Sequence, residues 1–128
     1  MIDHTGVMVS NFEVSKRFYA AALLPIGYQL IMEVPGELTG HGDAAGFGEP
    51  PKPDFWIGAG TPNVPPIHIA FRVTNRALVD AFYKAAIAAG GKDNGAPGLR
   101  PHYHPNYYGA FVLDPDGHNI EAVCHEVA

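Results

Sequence analysis

"HTGVMVSNFEVSKRFYAAALLPIG", residues 4–27, and "HIAFRVTNRALVDAFYKAAIAAGG", residues 68–91, are two versions of one segment set 64 residues apart. Aligned without a gap, they share His4/His68, Val9/Val73, Asn11/Asn75, Phe18/Phe82, Tyr19/Tyr83, Ala21/Ala85, Ala22/Ala86 and Gly27/Gly91, or 8 of 24 positions. Chance at these compositions gives roughly two. The chain therefore carries an internal repeat, and a repeat governs every later reading of a fold.

Each copy has the same grammar. An alternating strand ("HTGVMV" or "HIAFRV") runs into a polar cap, Ser10-Asn11 or Thr74-Asn75, and a helix follows. Val14, Phe18, Ala22 and Leu23 share one face of the first helix; Leu78, Phe82, Ala86 and Ile87 share one face of the second. Gly27 and Gly90-Gly91 stop them. Three strand-like segments then follow each helix: 28–34, 43–48 and 54–60 in the first copy, a short piece near 92–100, then 107–114 and 118–125 in the second. The expectation is an α+β fold of two βαβββ modules, about 1–60 and 67–128, joined by "TPNVPP" (61–66) within one domain spanning 1–128. Neither module is large enough to close a core alone.

Bulk composition narrows the function. The 128 residues are 47% hydrophobic and 16% charged, which suits one folded domain. A net charge of −5 with no basic run argues against a nucleic-acid surface. One cysteine, Cys124, excludes an intrachain disulfide and fits a reducing compartment. The N-terminus does not read as a signal peptide, and no apolar stretch reaches the ~20 residues of a membrane span. A cytoplasmic protein without membrane or nucleic-acid partners is expected.

Strand alternation fixes which side chains share a face. His4 lies with Gly6 and Met8; His68 lies with Ala70 and Arg72; Glu121 lies with Asn119 and Val123. A carboxylate in the middle of an apolar strand is costly unless something pairs with it. Two readings are open. In one, His4, His68 and Glu121 converge on a divalent metal (Fe, Mn, Ni, Co or Zn), which takes two imidazoles and one carboxylate and keeps positions free for substrate. In the other, the histidines are structural and Glu121 pairs with Arg72.

The strand histidines, the "FYAAALLPIGY" helix end and "DPDGHNIEAV" (114–123) together resemble the vicinal oxygen chelate superfamily, which includes glyoxalase I, fosfomycin-resistance transferases, extradiol dioxygenases and bleomycin-binding proteins. The resemblance covers essentially the whole chain. It implies paired modules whose mixed sheets curl around a metal and substrate cleft, with His4, His68 and Glu121 as ligands. It also implies a small-molecule substrate. A homodimer is expected because such modules can pair or swap between chains and bury exposed sheet edges; in a swap His4 comes from one subunit and His68 with Glu121 from the other. Glyoxalase I carries a fourth ligand on the last strand of the first module. At offset 64 from Glu121 this chain has Ile57, and Asp54 is three residues away, so three protein ligands are expected.

The segment "LRPHYHPNYY" (99–108) supplies the remaining candidates. Arg100 suits an anionic group, and Tyr103 and Tyr107 can orient a substrate. Tyr108, or Glu121 itself, can move a proton. Arg72 and Trp56 complete the expected substrate contacts, Trp56 as core or cleft wall. His118 and His125 flank the last strand and are expected at the surface, while Cys124 is expected to be buried and inert. The function expected is a metal-dependent lyase or isomerase, thiol transferase or dioxygenase. The alternative is a metal-free protein that sequesters a small molecule.

Overall fold

The computed structural model describes residues 1–128. β1 (Thr5–Val9) leads into α1 (Phe12–Leu23), a 3₁₀ turn (Leu24–Ile26), β2 (Gln29–Val34), a one-turn helix α2 (Gly36–Thr39), β3 (Ala44–Gly48) and β4 (Phe55–Ala59). The second copy gives β5 (His68–Arg72), α3 (Arg76–Ala88), β6 (Lys92–Leu99), β7 (Tyr108–Leu113) and β8 (Asn119–Cys124). The sheets run β1-β4-β3-β2 and β5-β8-β7-β6, parallel where first and last strands meet and antiparallel elsewhere. Both are the mixed βαβββ sheets that the repeat predicts. The 3₁₀ turn and α2 are additions of the first module, with no counterpart in the second.

Local chemistry accounts for the helix ends. The Asn11 and Asn75 side chains accept from Val14 N and Leu78 N, satisfying donors that a helix start leaves orphaned. Gly27 and Gly90 take φ of 92° and 102°, where a side chain would be strained. The buried stripe of α1 is Ser15, Phe18, Tyr19, Ala22 and Leu23, while Val14 is exposed. The stripe is turned from the expected one because Tyr19, not Val14, goes inward. Its hydroxyl donates to Asp114 Oδ2 at 2.6 Å, and burial followed by the Asp114 charge pushes its pKa well up.

One core serves both modules. Phe55 meets Phe71 edge-on at 5.4 Å between ring centroids, Tyr28 meets Phe71 at 5.4 Å, and α1 packs against α3. Val7, Val9, Ile57, Ile120, Ala122 and Cys124 point into this core, so the expected helix-facing sides of β1 and β8 hold. Gly6 and Met8 of β1, Trp56 of β4 and Glu121 of β8 alternate with these core residues and lie on the opposite faces of the sheets.

The loop 114–118 binds the two modules together. Asp114 takes the Tyr19 hydroxyl of α1, and Asp116 accepts from both the backbone and the hydroxyl of Ser10. His118 is 0% exposed, against the expectation of a surface residue. Its Nδ1 accepts from Ile67 N (2.9 Å) and its Nε2 donates to Met8 O (2.9 Å), so those partners assign the neutral Nε2–H tautomer. Met8 N donates to Asn63 Oδ1 at 2.8 Å, so the backbone edge of β1 at Met8 is closed by side chains. The turn read from "DPDG" is present, and its polar side chains reach across the chain.

Candidate metal and substrate site

Register brings His68 and Glu121 together. β5 and β8 run parallel with Ala70 opposite Glu121, which places His68 diagonally beside the carboxylate on the same face. His68 Nε2 stands 2.8 Å from Glu121 Oε1. Glu121 is 1% exposed, while the His68 side chain is 53% exposed. The second carboxylate oxygen, Oε2, accepts from the Tyr107 hydroxyl. Each oxygen of the buried acid thus has a partner, and neither partner is Arg72, which lies exposed at the far end of β5 opposite Val123.

His68 Nε2 and Glu121 Oε1 are of donor types that a divalent ion takes, and an ion held by both would replace the hydrogen bond between them. His4 is the third donor of the expected set, and one chain does not bring it to the other two. No group of three His, Cys, Asp or Glu side chains is gathered at one point. The His4 side chain is 61% exposed, and its Nδ1 is 2.7 Å from Asp3 Oδ2, leaving Nε2 free. A carboxylate on one ring nitrogen is the usual orienter of a ligating histidine. The His4 hydrogen bond, then Lys52, holds the Asp3 carboxyl below its ordinary pKa.

His4 opens onto a groove of about 650 Å³ on the face of the first sheet opposite the core, shared with Thr5, Gly6, Val34, Thr39, Ala44 and Trp56. Trp56 lies against Gly46, where an added Cβ would come within 3.0 Å of the indole. This residue also revises the alignment of the modules. Gly6 pairs with Trp56, whereas Ala70, its repeat equivalent, pairs with Glu121. The structural counterpart of Glu121 is therefore Trp56, not Ile57, because the second module has gained one residue between helix and last strand. Asp54 is two residues from that position, and its carboxylate takes the Tyr28 hydroxyl at 2.9 Å. The counterpart position still holds no acid.

The 99–108 segment divides by face. Phe111 sits opposite Glu121 and Tyr108 opposite Cys124, so Tyr108 lies on the helix side. Its hydroxyl donates to Asp80 Oδ1 at 2.6 Å, and Arg76 stacks on its ring at 5.2 Å. That Asp80 bond, then burial, raises the Tyr108 pKa. Arg100 bends back over the sheet, its Nη1 and Nη2 donating to Gly98 O and Ala96 O at 2.8 Å each and its guanidinium 5.4 Å from the Phe111 ring. Tyr103 is exposed and meets Tyr107 edge-on at 5.0 Å. His125, at the surface, also meets Tyr107 edge-on, at 5.3 Å. Burial first, then the Glu121 bond, raises the Tyr107 pKa.

Comparison with known proteins gives the setting. The family model of the Glyoxalase/Bleomycin resistance protein/Dioxygenase superfamily matches residues 1–122. A glyoxalase/bleomycin resistance protein from Albidiferax ferrireducens T118 is similar at 27% identity over 95% of this chain and 96% of its own, with a TM-score of 0.70. A family enzyme from Burkholderia phytofirmans PsJN shares the fold at 20% identity over 98% of each chain, with a TM-score of 0.70. A glyoxalase I variant from Zea mays does so at 18% identity and a TM-score of 0.68, over 95% of this chain and 43% of its own. No curated protein matches the chain.

Proposed function

From the premise that this chain belongs to the glyoxalase/bleomycin resistance protein/dioxygenase superfamily, we propose that it is a metal-dependent enzyme acting on a small oxygen-bearing molecule. The observation that carries the reading is the buried Glu121 carboxylate placed beside His68 Nε2 on one face of the second sheet. His68 and Glu121 hold the ion from one subunit, and His4 completes the set from a second copy of the chain. Support for the shared site is that His4 faces the groove of the first module, with one ring nitrogen fixed by Asp3 and the other free.

His68, Glu121 and the second copy's His4 would hold the ion, which would supply Lewis acidity toward substrate oxygens. Around it, the protein provides shape. Trp56 and Met8 give an apolar wall on the His4 side, and Phe111 with Tyr107 and Tyr103 gives an aromatic one on the Glu121 side. Arg100 has two donors committed to its own strand, so its part is to brace this wall. Tyr108 is bonded to Asp80 behind the sheet, which leaves Tyr107 as the hydroxyl beside the ligands. With Trp56 at the counterpart of Glu121, the site offers three protein ligands, unlike the four-ligand arrangement of a lactoylglutathione lyase. Isomerisation, elimination, thiol transfer and ring-cleaving oxygenation all remain within this chemistry.

A metal-free binding role is the second reading, favoured by the fact that both Glu121 oxygens already have protein partners. Reconstitution decides between the two. After incubation with Mn, Fe, Co, Ni or Zn and removal of free ion, plasma mass spectrometry is expected to find about one ion per chain. Background metal for every ion tested would leave only the binding role.

A further inference from the structure

The surroundings of Glu121 are built to immobilise one of its two oxygens. Tyr107 ends the loop that crosses from β6 to β7, and that loop is tied at both ends. Arg100 N donates to Tyr107 O at 2.7 Å, and Tyr107 N donates to His104 O at 3.0 Å. The Tyr107 ring then lies over Gly109. A Cβ at position 109 would stand 3.2 Å from Tyr107 Cε1 and 3.3 Å from Glu121 Oε2, close enough that ring or carboxylate must give by a few tenths of an ångström. Tyr103 and His125 both meet the ring edge-on, at 5.0 and 5.3 Å between centroids. Glycine at 109 thus admits the ring, and the loop delivers its hydroxyl to Oε2.

We propose that Tyr107 is a positioning residue that holds Glu121 as a one-oxygen donor, tying Oε2 to its hydroxyl and leaving Oε1, which faces His68, as the only oxygen offered to a divalent cation. This rests on the metal reading above. A carboxylate free to rotate can take up two coordination positions; one anchored at Oε2 takes up one. The position saved is available to a second substrate oxygen, so Tyr107 governs how much of the ion the protein leaves open. Gly109 is a permissive partner in the same device.

The test uses Co²⁺, whose visible absorption reports coordination. Binding to metal-free wild type, Tyr107→Phe and Gly109→Ala is measured by calorimetry, with the absorption of each loaded protein recorded. Loss of a hydrogen bond that orients a ligand costs about 10–100-fold in metal affinity. Tyr107→Phe is expected to bind in that range more weakly and with an altered Co²⁺ spectrum, while the melting temperature of its metal-free form stays near wild type. Gly109→Ala retains every donor atom and is expected to shift both readouts in the same direction. Affinity equal to or tighter than wild type in Tyr107→Phe, or an unchanged spectrum, overturns the proposal while leaving the metal reading intact. Absence of Co²⁺ binding by the wild type overturns both.

Discussion

Glu121→Ala is expected to abolish divalent-metal binding while leaving the chain folded. The carboxylate is the only anionic donor of the set, so its removal deprives the ion of charge compensation as well as a bond. The loss should exceed the ~100-fold at the top of the range for outer-shell partners. The structural cost is smaller. His68 is half in water, and Tyr107 sits at the rim of the face, so each can replace a lost partner with solvent. Removing a buried charge also removes its desolvation penalty. A net destabilisation of about 1–2 kcal/mol follows. Equilibrium dialysis followed by plasma mass spectrometry, alongside urea unfolding, measures the two effects separately. A variant that keeps its ion would place the ligands elsewhere. One that unfolds would make Glu121 a structural residue first.

His118→Ala is expected to do the reverse, costing the fold and only through it the site. The imidazole is fully buried and bridges Ile67 N to Met8 O across the two modules. Truncation orphans a backbone donor and a backbone acceptor at once, each worth about 1–3 kcal/mol when left unpaired in the interior. It also opens a cavity the size of the lost ring. Together these give about 3–5 kcal/mol, a large share of the about 5–15 kcal/mol that holds a typical domain. The expected result is a much lower urea midpoint. A loss under about 1 kcal/mol would mean that water replaces the ring and that the shared aromatic core alone joins the modules.

Much of this was legible in the sequence, for physical reasons that also mark the limits. The repeat exposed both modules because each must build the same strand, cap and helix. Alternation of period two placed His68 and Glu121 on one face of neighbouring strands, since a strand gives its side chains no third direction. Counting from the helix failed at Trp56. One extra residue before the last strand of the second module shifts the counterpart by one, and only pairing with Gly6 reveals it. Between Tyr107 and Tyr108 the same one-residue step decides which hydroxyl meets Glu121 and which meets Asp80. His118 was missed because its partners lie 51 and 110 residues away, beyond any local pattern. Two acids and a histidine within five residues, just before a buried strand, were the signal available.

Whether two chains share the site is open to one direct experiment. In a shared site, His4→Ala and His68→Ala damage different halves. A heterodimer of the two variants then has one site with both lesions and one with none. Co-expressed under separate tags and purified through both, such a heterodimer is expected to hold about half the wild-type metal per chain, while each variant alone holds none. Background metal in a heterodimer whose wild type binds normally would contradict the shared site, as would failure to recover any heterodimer.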